Sequence, residues 1–310
     1  TDKANLSSTS STLAFTVATG GGGGGGGTDV VANAPWTSGG AVQSAAGRIY
    51  FEMPTNAKRT RWAGYVCSGT VTSDSTDGRA VIITAAHCVY DDANKAFARN
   101  VLFIPDQDGT SGSGTDRDCG NDPYGCWSPN FGVVDSDWTT RTFPDNILWD
   151  YAYYVVSDSG RHSGTATSSD ALAKVVGSLP VKFGVPAVSL ATDRKDAADY
   201  TYGLGYSYSD DPNFMYCAES MGTEGSANWW LPSCGLSGGS SGGPWVQPMS
   251  TTTGSGDIIS VNSWGYTDRP GMAGPKLWGT SARCMFESDA QNTPLTGVVP
   301  TTDGNAGVKS

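Results

Sequence analysis

Three residue types that together can cleave an acyl bond sit in local settings suited to that work. Ser241 lies inside Gly238–Trp245, "GGSSGGPW", where glycines on both sides permit a tight turn that presents backbone N–H groups beside the hydroxyl. In a chain with 42 glycines, such a stretch read alone describes a flexible surface loop equally well. His87, one of two histidines, stands in "ITAAHCV" after the apolar run "AVII". A neutral imidazole, with an ordinary pKa of about 6.5, takes a proton near neutrality and is the usual activator of a serine hydroxyl. Asp150, in "NILWDYAYYVV", stands at the mouth of an apolar and aromatic run. A charge buried there needs a partner. A histidine N–H is suitable, because the carboxylate then holds the tautomer and stabilises the imidazolium. The bland alternative is that Asp150 merely ends a loop before a strand, as Asp135, Asp137 and Asp145 can.

The cysteines supply the bracing that such a set needs. His87 directly precedes Cys88, and Cys67 lies upstream in "YVCSGTV"; a Cys67–Cys88 bridge would fix the loop carrying His87 and contribute about 2–4 kcal/mol. Cys119 and Cys126 can close a small stapled insertion. Cys217 and Cys234 flank the segment that leads to the serine loop, and their pairing would brace its wall, with Cys234–Cys284 as the alternative because spacing does not decide connectivity. Seven cysteines leave one over, and Cys284 is the candidate. None has the paired CxxC spacing of a zinc site, so an oxidising, extracellular compartment is expected.

In the order His87, Asp150, Ser241, the motifs "TAAHC", "DYAYY" and "GSSGGP" resemble those of the chymotrypsin/trypsin family of serine proteases. "NSWGY", containing Ser263, Trp264 and Gly265, is similar to the strand that lines the substrate groove in that family. The resemblance covers residues 47 to 285 or so. It implies an all-β fold of two six-stranded antiparallel β-barrels with few helices, the triad in the cleft between them and the substrate extended along Ser263–Gly265. It also implies a secreted serine endopeptidase working through an acyl-enzyme intermediate, with the oxyanion held by the N–H groups of Gly239 and Ser241. No cofactor or metal is expected. The implied partners are polypeptide substrates, with a proteinaceous inhibitor as a second, and the expected state is a monomer. The primary pocket falls near Gly235 and Leu236, with no Asp to pair a substrate Lys or Arg. Gly265 and Gly279 would leave it open, which favours a bulky apolar or aromatic residue before the scissile bond. His162 would favour acidic residues if it reached the pocket, but "SGRHSGT" reads as an exposed loop.

Two features depart from the family pattern. Ser240 stands where Asp commonly precedes the nucleophile, and no Ile-Val-Gly-Gly start is visible. A divergent, bacterial-like branch is therefore expected, in which contacts other than an N-terminal ammonium hold the oxyanion loop. Arg161, Arg194 or a hydrogen-bond network around Ser240 are the candidates.

The elements that must position these groups are strands. From residue 47, short runs rich in β-branched and aromatic residues, such as "GRIYFEM", "AVIITAA", "NVLFIP", "DYAYYVV" and "IISVNSWGY", alternate with Gly, Asp, Ser and Pro clusters. Helix is expected only around "AAHCVY" and "SDALAKVVGSL". Residues 1–46, with the unbroken run Gly20–Gly27, read as a flexible segment or pro-segment remnant, within which "TLAFTVATG" is a strand candidate. Residues 47–286 form the protease-like domain, and 287–310 an irregular tail. The stretch 105–146 is loop-like, and its Asp106, Asp108, Asp116 and Asp118 admit calcium, although a solvated loop is the simpler reading.

Bulk properties exclude other classes. A net charge of −11 over 310 residues is contrary to a nucleic-acid partner. No run approaches the ~20 apolar residues that span a bilayer. Two other function classes compete: a silent protease-like binding module, for which ten tryptophans give mild support, and an α/β-hydrolase esterase. The latter places its histidine last, whereas His87 comes first.

Overall fold

The computed structural model describes residues 28–114, 116–159, 162–164, 171–188, 192–295 and 306–310. The glycine run and "TLAFTVATG" lie outside the described residues, as does Arg161.

Strands dominate, as the alternating runs require. Ala46–Pro54 pairs antiparallel with Trp62–Thr72 from Ala46↔Thr70 to Pro54↔Trp62, and its other edge takes Arg99–Pro105. Trp62–Thr72 continues to Arg79–Thr84, then Ala152–Ser157, then Phe131–Val134. This sheet curls on itself, so that Ile49, Val71, Ile83, Tyr153 and Val133 are all fully buried. The second half is a five-stranded sheet in the order Val31–Pro35, Met215–Ser220, Tyr200–Gly205, Pro244–Ser250, Ser255–Val261. Beside it lies a three-stranded sheet of Gly222–Glu224, Asn228–Leu231 and Met272–Pro275.

Among the described residues the strands are not divided six to each half. The first sheet reaches nine because Cys126–Trp127 and His162–Ser163 extend one edge and Ala306–Lys309 adds in parallel to Phe131–Val134 at the other. The expected segment boundaries shift for a related reason. Within the region read as flexible, Val31–Pro35 pairs with Met215–Ser220, Trp36 is buried against Tyr202 and Tyr216, and Val42 and Ala45 of a short helix enter the core. Burying a Trp and a Val offsets the entropy of ordering a Ser/Gly-rich stretch. The helix Met285–Ala290 runs on into the tail, where Ala290 is buried. The helices expected at "AAHCVY" and "SDALAKVVGSL" are the single turn Ala86–Cys88 and Leu172–Val176.

Register sets the site. Thr84 faces Ala152, so the turn after Thr84 and the residues before Ala152, among them His87 and Asp150, meet at one end of the first sheet. Pro244 faces Val261 in the second half, which likewise brings the loop before Pro244, with Ser241, beside the residues after Val261. Disulfides join Cys67–Cys88, Cys119–Cys126 and Cys217–Cys234, and Cys284 is free and exposed. Among the described residues, no helix is long and apolar enough to cross a membrane.

Candidate active site

Asp150 is the hub. The residue is 4% exposed, and its carboxylate accepts from three donors. His87 Nδ1 lies 2.8 Å from Oδ2 and 3.1 Å from Oδ1, the His87 backbone N–H donates to Oδ1 at 2.9 Å, and the Ser263 hydroxyl donates to Oδ2. Burial pushes the Asp150 carboxyl up, but the charge of His87 and the hydrogen bonds from His87 and Ser263 outweigh it, leaving the group below its ordinary 3.8. With Nδ1 committed to Asp150, the other ring nitrogen, Nε2, is buried and makes no hydrogen bond.

Ser241 approaches this pair from the other half of the molecule. Its carbonyl accepts from the Ser68 N–H at 2.7 Å and faces Cys88 Sγ at 3.8 Å, which sets the serine against the disulfide next to His87. The following residue, Gly242, has φ +80°, and a Cβ there would overlap Thr84 Oγ1 and the Ser68 carbonyl. Only glycine lets the loop come this near.

The two peptide units that could hold an oxyanion are pinned by their carbonyls. Gly238 O accepts from the Tyr208 N–H at 2.7 Å. Ser240 O accepts from the Gly243 N–H at 2.9 Å and from Asn262 Nδ2 at 3.0 Å. In a trans peptide the N–H points opposite to the C=O, so these clamps turn the N–H groups of Gly239 and Ser241 away from Tyr208, Gly243 and Asn262. Among the described residues neither donates to an internal acceptor. The Gly239 carbonyl accepts from Ser68 Oγ at 2.9 Å. Ser240, in the place of an Asp, is buried and turns its hydroxyl to Ser237 O at 2.7 Å.

A cavity of about 230 Å³ adjoins Ser241 and includes Gly235, Leu236, Ser263, Trp264 and Gly265 in its lining. Gly279 is not there; it occupies an open turn with φ +71°. The glycine facing Gly265 is Gly271, where a Cβ would overlap the Trp230 ring. Arg269 also lines the cavity, 4.0 Å from the Tyr266 ring centroid and 3.6 Å from Glu224. His162 does not line it; its ring lies tilted against Trp127 at the edge of the first sheet. Arg194 pairs with Asp196 in an exposed segment. Among the described residues the acidic side chains Asp106, Asp108, Asp116 and Asp118 do not gather into one cluster: Asp106 and Asp108 share Gln43 Nε2, whereas Asp116 accepts N–H groups of its own turn.

Sequence reasoning missed Ser68, Tyr208, Asn262 and Arg48. Asn262 directly precedes "SWGY", and Arg48 is a cation inside the apolar run "GRIYFEM"; these were the available signals.

No protein-family model and no curated protein matches the sequence. Solved structures do. A thermostable serine protease, AL20, from an extremophilic microorganism is 25% identical, with a TM-score of 0.60 over 82% of this chain and all of its own. The protease Anisep from Arthrobacter nicotinovorans is 25% identical, with a TM-score of 0.59 over 81% of this chain and 97% of its own. The protein is a divergent chymotrypsin-like serine protease. A Glu endopeptidase shares the fold at 15% identity and a TM-score of 0.55, over 84% of this chain and 97% of its own. As a serine protease, this chain acts on polypeptides.

The lowered Asp150 value carries a prediction. A carboxyl held below its unfolded value adds stability that is complete above 3.8 and is lost as pH falls through the folded value. The stability gap between the wild type and Asp150→Asn, measured by denaturant unfolding, should narrow as pH is lowered below 3.8. A gap that stays constant or widens contradicts the direction of the shift.

Proposed function

We propose that the protein is a secreted serine endopeptidase in which Ser241 is the nucleophile, His87 the general base and Asp150 the carboxylate that orients it. The observation that carries this reading is the commitment of His87 Nδ1 to a buried carboxylate, which leaves Nε2 unpaired beside a serine loop with two outward N–H groups. His87 Nε2 takes the Ser241 proton as Oγ adds to the scissile carbonyl, and Asp150 stabilises the imidazolium. The N–H groups of Gly239 and Ser241 receive the oxyanion. Collapse of the tetrahedral species breaks the C–N bond, and His87 returns the proton to the leaving amine. Water, activated by the same imidazole, then hydrolyses the acyl-enzyme. Three disulfides support an oxidising, extracellular setting.

Specificity follows from the cavity. Among the described residues no carboxylate lines it, and the Arg269 cation is at its wall, so Lys and Arg side chains find a like charge and no partner there. Leu236, Trp264, Tyr266, Pro270 and Met272 offer apolar surface to a bulky apolar or aromatic residue before the scissile bond.

Ser241→Ala should abolish turnover of a peptide substrate while the unfolding transition persists, and Asp150→Asn should lower kcat by about 10⁴. Retained hydrolysis by pure Ser241→Ala protein contradicts the assignment. A peptide-library cleavage profile should show Phe, Tyr, Leu or Met before the cut. Dominant Lys or Arg refutes the pocket reading, and dominant Asp or Glu transfers the recognition to Arg269.

A further inference from the structure

Arg48 is fully buried, yet each of its guanidinium nitrogens has a different partner. Nε donates to Gln107 Oε1 at 2.7 Å, Nη1 to the Tyr206 carbonyl at 3.2 Å, and Nη2 to the Asp211 carboxylate. The partners are themselves held: Gln107 Nε2 donates to the Gly114 carbonyl at 3.1 Å and to Tyr50 Oη at 3.2 Å. A buried ion pair adds little net stability compared with well-packed apolar residues, because both charges lose their hydration. Placement offers a better reason for it.

The placement is against the oxyanion loop. Gly239 has φ +97°, and a Cβ there would stand 2.8 Å from the Tyr206 carbonyl and 3.3 Å from Arg48 Nη1. The Tyr206 N–H donates to Ser68 Oγ at 2.9 Å, and that hydroxyl donates to the Gly239 carbonyl at 2.9 Å. Two residues on, the Tyr208 N–H holds Gly238 O and thereby aims the Gly239 N–H. Segment 206–208 is thus the template on which the Gly238–Gly239 peptide is oriented, and Arg48 fixes that template by its carbonyl. The planar fork suits this task, since its donors diverge in fixed directions.

We propose that Arg48, held by Asp211 and Gln107, is the positioning residue that keeps the Gly239 N–H turned toward the developing oxyanion, in place of an acidic residue at position 240. The proposal rests on Ser241 being the nucleophile. It also gives the loop-like stretch 105–146 a purpose, because Gln107 and Gly114 come from it and Gly114 packs directly on the Asp211 carboxylate.

Arg48→Lys and Asp211→Asn are the test, each measured for kcat and KM on one peptide substrate, for inhibition by a peptide boronic acid of the same sequence, and for unfolding midpoint. Loss of one oxyanion donor costs ~10²–10³ in rate, so a donor kept but misaimed should lower kcat by about 10–100-fold. KM should stay within about twofold, boronate affinity should fall by the same factor as kcat, and the pH midpoint of kcat should not move. Should Arg48→Lys fail to fold, Asp211→Asn, which keeps the shape of the partner, carries the measurement. Folded variants with wild-type kcat and boronate affinity overturn the proposal. So does an activity loss that merely tracks the fraction of active sites titrated, which is what a purely structural role would give. Failure of the underlying reading is separate: it shows as Ser241→Ala protein that still turns over, or as boronate that does not inhibit the wild type.

Discussion

A carboxylate almost sealed from water has to be satisfied by the protein around it, and Asp150 draws its donors from two separated stretches of chain. The His87 main chain and ring arrive from the turn after Arg79–Thr84, and the Ser263 hydroxyl from the end of Ser255–Val261. One stretch belongs to each half of the molecule. The ion-dipole contacts that neutralise Asp150 therefore also dock the halves, and they leave the imidazole a single orientation. Loss of one donor would expose the rest to the full desolvation cost of a buried charge.

The serine loop obeys a parallel constraint with dipoles in place of charge. An oxyanion site needs N–H groups that are ordered yet unpaired, and such groups are unfavourable unless something holds them. Here the holding is done from behind, through the carbonyls of Gly238 and Ser240, by Tyr208, Gly243 and Asn262. Ser68 ties this loop to the first half by its N–H to Ser241 O and by its hydroxyl to Gly239 O. Its neighbour Cys67 is bonded to Cys88, next to His87, so one short segment of strand braces both sides of the cleft.

What could be read from the sequence was what is local. His87, Asp150 and Ser241 each carry their setting within a few residues, and the strand alternation of "AVIITAA" and "DYAYYVV" survives as Arg79–Thr84 paired to Ala152–Ser157. The bridges Cys67–Cys88 and Cys119–Cys126 are the expected ones, and at Cys234, where spacing left two partners open, the structure pairs it with Cys217 and leaves Cys284 free. Non-local features escaped. Arg48 meets Gln107, Tyr206 and Asp211 at separations of 59, 158 and 163 residues, so nothing around "GRIYFEM" announces its partners. Trp36 looked like part of a flexible leader because its pocket is built by Tyr202 and Tyr216, far along the chain. Gly279, expected at the pocket, sits on an open turn, and Gly271 lines the cavity instead, because the pairing of Asn228–Leu231 with Met272–Pro275 brings it onto Trp230.

If the triad works as proposed, one hydroxyl in this chain is chemically unlike the rest. Treatment of the folded protein with a fluorophosphonate, followed by peptide mapping, tests it most directly. A single phosphonyl adduct, on Ser241 and lost on prior unfolding, is expected; a folded protein that takes no label, or takes it on a different residue, contradicts the assignment.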